Sequence, residues 1–285
     1  MGSILEALSP EQQIACSTQN NILLTACPGS GKTRTLTHRL AYQVLRDPAS
    51  KKIKIAITYT NRAAEEITNR LEGMNIDQSS IWAGTIHQFC MHFIIRPYAM
   101  YSKRLCKGYR IIDDYSKKAY GREIAERLGM HLNYYDDPFQ YENVRTEYKR
   151  VLKEKKEIDF DAILLISEEL LASCAFIGSN IASVISSILV DEFQDTNELQ
   201  YSILSTIYKA NKSIILMFVG DVNQAIYSSL GGVAKGKKEL ETLYEINFDS
   251  LSLKGCYRST QRLVDLYSRF EISKTDAHSV AKYKD

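Results

Sequence analysis

A chain of 285 residues, 45% hydrophobic and 25% charged, has room for one large or two modest domains with real cores, which excludes a disordered chain. A net charge of +2 excludes a whole-molecule pull on nucleic acid, so any such binding rests on a local patch. Cys16, Cys27, Cys90, Cys106, Cys174 and Cys256 form no CxxC pair and no zinc-finger spacing, which speaks against a metal cluster or disulfide framework.

In chain order, Leu8-Ser9-Pro10-Glu11-Gln12-Gln13 reads as a helix start, with Ser9 as N-cap and Pro10 at the first helical position. The apolar run Ile22-Leu23-Leu24 then leads into Ala26-Cys27-Pro28-Gly29-Ser30-Gly31-Lys32-Thr33-Arg34, and a helical pattern carrying Arg39 follows to Leu45. Strand, glycine-rich turn and helix are the context of a phosphate-binding loop. Backbone N–H groups of such a turn, with the positive end of the helix dipole, wrap a polyphosphate. Lys32 suits the outer phosphates and the Thr33 hydroxyl a magnesium shell. Ala26 stands where the usual pattern starts with glycine. The reading is a nucleoside triphosphate site.

Ile53–Thr58 is a β-branched run of the kind buried in parallel sheets, and Asn61–Leu71 has a helical apolar face. Ile81–Gly84 reads as a further short strand. Strands alternating with helices predict a doubly wound α/β core. From about Tyr101 to Ser173 strand signals fade, and charge with helical spacing predicts a mainly helical insertion. Its stripe Lys149, Arg150, Lys153, Lys155 and Lys156 reads as a solvated helix face. Strands resume at Val184–Val190, ending in Asp191-Glu192, and at Ser213–Val219, ending in Gly220-Asp221. The helix Glu198–Tyr208 lies between them. Acidic residues at the carboxyl ends of apolar strands sit where open α/β sheets bind ligands. Asp191 suits magnesium, and Glu192 suits orienting and deprotonating a water, which points to hydrolysis. Leu251–Leu253 is strand-like, Gln261–Phe270 helical, and the polar tail Ser273–Asp285 is expected to fray. With no signal peptide and no apolar run near 18 residues, the expectation is a soluble cytoplasmic protein without membrane contact.

These motifs together resemble superfamily 1A DNA helicases, the UvrD, Rep and PcrA group. VDEFQDTNELQ (Val190 to Gln200) is similar to the acidic motif of that group. LSPEQQ (Leu8 to Gln13) is similar to its Q motif, and Ala26 to Tyr42 to its phosphate loop with the following arginine. TYTNRAAEEITNRL (Thr58 to Leu71) resembles motif Ia and GTIHQFC (Gly84 to Cys90) motif Ib. IDFDAILL (Ile158 to Leu165) is similar to the phrase closing a 1B insertion. VGDVNQAIY (Val219 to Tyr227) resembles motif III, and GCYRST (Gly255 to Thr260) motif IV.

The resemblance implies a RecA-like P-loop domain with a parallel sheet, formed by residues 1–100 and 174–258. It implies a helical 1B-type insertion at 101–173, and the start of a second domain or a tail at 259–285. It implies ATP and Mg2+ as cofactors, and hydrolysis coupled to single-stranded DNA or a single-strand/duplex junction. By it Gln12 meets the adenine, Arg39 the nucleotide, Tyr257 stacks on the base, Gln224 senses the γ-phosphate and Arg258 is an arginine finger. Tyr59, Thr60, Asn61, Thr85, His87 and Tyr227 fall at DNA-contacting positions. Ser229 and Leu230 replace a bulky aromatic and an arginine after motif III, which weakens strand gripping. Family members continue into a second RecA-like domain with motifs V and VI, so the expectation is a fragment, or a chain whose partner supplies the missing half. The rival reading is a non-motor subunit sensing nucleotide and DNA, docked on a partner such as a nuclease. A P-loop kinase or small GTPase finds no support outside the loop.

Overall fold

The computed structural model describes residues 2–133, 135–224, 233–271 and 276–281, in two compact units. The larger comprises Met1–Ile86 and Gly178–Asp285, the smaller His87–Ile177. Among the described residues no helix is long and apolar enough to cross a membrane.

The larger unit is built on a six-stranded sheet in the order β3-β2-β6-β7-β1-β8. Its strands are β1 (Ile22–Ala26), β2 (Ile53–Thr58), β3 (Ile81–Thr85), β6 (Ile185–Asp191), β7 (Ile215–Gly220) and β8 (Asp249–Leu253). Every pairing is parallel, so the α/β fold with a parallel sheet expected from the sequence is the fold observed. Parallel strands covered on both faces need continuous apolar runs, and Ile22, Leu24, Leu189, Met217 and Val219 supply them. Leu36 and Leu40 of the helix Lys32–Arg46 close one side of this core. At about 25 cal/mol per Å2, each such side chain contributes roughly 1.5–3 kcal/mol on burial.

Helix starts are set locally. Ser9 and Gln12 form a reciprocal capping box on Pro10–Ser17, and Asn197 and Gln200 do the same for Glu198–Ala210. Because all six strands run the same way, their carboxyl ends share one edge of the sheet. The turns carrying Lys32, Tyr59, Asp191 and Asp221 therefore all leave from that edge.

The smaller unit is mainly helical, with Asp114–Arg127, Glu142–Lys155 and Phe160–Ser173 as its longer helices. Its core gathers Ile112, Ile124, Val144, Tyr148 and Leu152. Tyr148 donates to Asp159, which caps the helix after it. Two-residue strands β4 (Arg110–Ile111) and β5 (Glu157–Ile158) pair here, where the sequence suggested no strand. Runs of two residues are below the length at which alternation can be read; an Arg110–Glu157 ion pair closes the ladder. The basic stripe is an exposed helix face, with Arg150 paired to Glu147 and Glu154 and Lys155 over the Tyr120 ring.

Of the tail expected to fray, residues 273–275 and 282–285 lie outside the described residues, but its middle is paired: β10 (His278–Ser279) runs parallel with β9 (Gly255–Cys256), and the Ser279 hydroxyl donates to the Ser259 carbonyl. A polar segment has found backbone partners.

Candidate active site

The turn after β1 is shaped by two glycines in the left-handed region, Gly29 at φ 75° and Gly31 at φ 84°. Gly31 is also the N-cap of the helix Lys32–Arg46, so the first free N–H groups of that helix open onto the turn. Space as well as dihedral demands these glycines. A Cβ on Gly29 would stand 2.6 Å from the Arg258 Cβ, and one on Gly31 2.9 Å from the Gln12 amide nitrogen.

Around this turn the structure gathers a set of polar groups from separate strand ends. Lys32 Nζ lies 3.1 Å from Glu192 Oε2. The Thr33 hydroxyl donates to Asp191 Oδ2 at 3.2 Å. Glu192 is itself left-handed, φ 51°, a conformation that costs a non-glycine residue about 1–2 kcal/mol and is held here by its partners. Its carboxylate also accepts from Gln194 Nε2 at 2.8 Å, and the other end of that amide accepts from the Asp221 N–H at 3.1 Å. Asp221 in turn accepts from Gln224 Nε2 at 2.7 Å. A continuous polar line thus runs from Lys32 through Glu192, Gln194 and Asp221 to Gln224. Gln194 and Asp221 were given no individual role from the sequence. Asp221 was noted as an acidic strand end, and Gln194 and Asp221 each lie inside a motif of the resemblance, VDEFQDTNELQ and VGDVNQAIY.

Burial raises the Asp191 carboxyl to about 6, with the Glu192 charge adding to the rise and Lys32 and Thr33 opposing it. Burial likewise pushes up Asp195 and Asp221. Carboxylates held above their ordinary range beside groups such as Lys32 and Thr33 are a pattern that clusters at functional sites. The Thr33–Asp191 pair, a hydroxyl beside a buried carboxylate short of positive charge, fits a magnesium ion.

Other candidates are placed as follows. Gln12 is buried and committed to protein: its oxygen accepts from the Ser9 N–H and its amide donates to the Ser30 carbonyl at 2.9 Å. Arg39, expected at the nucleotide, is fully buried, with its guanidinium on the carbonyls of Ala15 and Asn20, where it satisfies the end of the helix Pro10–Ser17. Arg34 reaches the Ala7 carbonyl at 2.9 Å rather than into the turn. Ala26 and Cys27 are buried beneath the loop, while Pro28 is half-buried and Ser30 buried within it. Tyr257 and Arg258 are exposed beside the loop, and the Tyr257 N–H donates to the Gly29 carbonyl at 2.9 Å.

Tyr59, Thr60 and Asn61 follow β2 and are exposed; Thr85 ends the neighbouring β3. His87 falls in the smaller unit, its ring edge-on to Phe160 at 5.9 Å and its imidazole shifted down by burial. Tyr227, Ser229 and Leu230 lie outside the described residues.

Three comparisons bear on this geometry. A family model described as an AAA domain matches residues 11–230. The ATP-dependent DNA helicase PcrA of Leuconostoc citreum is 28% identical over 279 residues, covering 87% of this chain and 37% of that protein. DNA helicase II of Escherichia coli K12 is 26% identical over 290 residues, covering 92% of this chain and 40% of that protein. The chain therefore spans about two-fifths of the curated relatives it matches. Among solved structures, the Pif1 helicase of Candida albicans aligns with 91% of this chain and 43% of its own, at 13% identity and a TM-score of 0.46.

Proposed function

Because the chain belongs to the AAA domain family, we propose that it binds ATP with magnesium and hydrolyses it in a manner coupled to single-stranded DNA, as part of a UvrD-like DNA helicase. The observation that carries the reading is the meeting of Lys32, Thr33, Asp191 and Glu192 from two strand ends within hydrogen-bonding reach.

The loop from Ala26 to Thr33 cradles the phosphates through its backbone N–H groups, and Lys32 leaves Glu192 to meet the outer ones. Thr33 and Asp191 would hold the magnesium ion, which neutralises charge developing on the transferring phosphoryl group. Glu192, freed of Lys32, orients a water and takes its proton, with Gln194 fixing the carboxylate. Through Gln194 and Asp221 the same carboxylate is linked to Gln224, so a change at the phosphates is felt at the segment after β7. Tyr257 offers a ring to the base, and Arg258 a guanidinium to the phosphates once it swings from the flank of Gly29. Tyr59, Thr60, Asn61, Thr85 and His87 supply ring, hydroxyl and amide groups suited to a strand without sequence preference.

The test is ATP binding and turnover, with and without magnesium and a single-stranded oligonucleotide. Magnesium-dependent ATP binding that Lys32→Ala removes is expected. A chain that binds no ATP overturns the proposal.

A further inference from the structure

On the opposite edge of the same sheet, where β2, β6 and β7 begin, lies an open cleft of about 400 Å3. Lys54, the second residue of β2, lines it and is only 3% exposed. A buried ammonium carries three donors and demands partners, yet this one makes a single long hydrogen bond of 3.4 Å to the Lys52 carbonyl. Asp47 acts on it only through space. The cleft therefore holds a desolvated cation that the protein itself leaves underserved.

Its neighbours are donors as well. Gln43 spends its amide oxygen on the Ser187 hydroxyl, at 2.8 Å, which leaves both amide hydrogens for a ligand. The Ser50 oxygen accepts from the Lys52 N–H, so its own hydrogen is available. Arg46, exposed on the rim as the last residue of the helix Lys32–Arg46, adds a planar fork of donors. Against these stands one carboxylate, Asp47. Surplus donors with a net positive charge select an oxyanion, and the geometry of a guanidinium and an ammonium on one cleft suits a tetrahedral one.

We propose that this cleft binds phosphate, free or as a compact phosphomonoester, on Lys54, Gln43, Ser50 and Arg46. The site is separate from the phosphate loop and shares two elements with it. The helix Lys32–Arg46 carries Lys32 and Thr33 at one end and Gln43 and Arg46 at the other. β6 carries Ser187 at its start and Asp191 at its end. An anion here touches the far ends of the two elements that form the candidate active site.

The test is calorimetric titration of the 285-residue chain carrying Lys32→Ala, so that the phosphate loop does not contribute. Inorganic phosphate and ribose 5-phosphate are the two ligands, with chloride at equal ionic strength as reference. Saturable binding at one equivalent is expected, weakened roughly tenfold or more by Lys54→Met and by Arg46→Glu. Tighter binding of the ester assigns the site to a phosphorylated metabolite; equal or tighter binding of inorganic phosphate assigns it to the free ion. If Lys54→Met fails to fold, the exposed Arg46→Glu decides alone. No saturable heat with either ligand, or unchanged affinity in the folded variants, overturns the proposal.

Discussion

Asp191 carries a charge in a place that resists it. With its folded pKa near 6 and its unfolded value near 3.8, the native chain keeps a proton that the unfolded chain releases between those values. Stability is therefore lost as pH rises through that window, and above it the ligand-free chain carries a penalty of roughly 3 kcal/mol. Asp191→Asn should raise resistance to denaturant at pH 7, and raise it less at pH 5. The same variant should lose any stabilisation that magnesium and ATP give together. Equal destabilisation at both pH values would contradict this account. On the proposed reading, the Lys32–Glu192 ion pair competes with the nucleotide for the same ammonium. Lys32→Ala should abolish ATP turnover with an unchanged melting profile, since on the proposed reading the side chain serves phosphates and not core. Glu192→Gln removes the base and the competitor together. ATP should bind at least as tightly while hydrolysis falls by roughly 100-fold or more, in equilibrium binding and single-turnover assays. Parallel loss of binding and turnover would give Glu192 a structural role.

At the scale of elements, close packing decides what the turns tolerate. A Cβ on Gly220 would fall 2.2 Å from the Gln194 oxygen and 2.6 Å from the Phe193 ring. Gly220→Ala should destabilise by about 1–3 kcal/mol and, by displacing Gln194, loosen Glu192. Gly73→Ala is the control, with nothing within 4 Å of its Cβ; it should be neutral or slightly stabilising in the same melts. Much of this architecture was legible beforehand. β-branched runs announced β2 and β6, and glycine spacing announced the turn before Lys32. The failures share a cause. Arg39 was placed at the nucleotide by the family resemblance alone, and only the tertiary fold brings the Ala15 and Asn20 carbonyls to it. β10 is two polar residues that pair because Cys256 and Lys254 present backbone groups there. Gln194 acts through Asp221, and no local pattern shows that strand order sets β6 beside β7.

At the scale of the molecule, Arg258 sits exposed beside the loop, its Cβ against Gly29. If a second RecA-like domain is what holds it there, the 285-residue polypeptide alone should bind ATP but turn it over slowly. An arginine finger is typically worth about 10³- to 10⁵-fold in rate. Adding that domain in trans should raise turnover and make it depend on Arg258 and on DNA. Robust DNA-stimulated turnover by the monomeric polypeptide would refute the dependence. The strand order has a consequence for how the molecule is made. Among the described residues β1, which carries the loop, pairs with β7 and β8 alone, Ile22 lying opposite Met217 on one side and Asp249 on the other. At ribosomal speeds of about 5–20 residues per second, the interval between making β1 and making its first partner is roughly 10–40 s. Through that time Ile22, Leu23 and Leu24 are an apolar run without their β7 and β8 partners. The strand that carries the loop thus waits on partners made much later, and β7 and β8 decide whether the turn after it takes its place in the sheet.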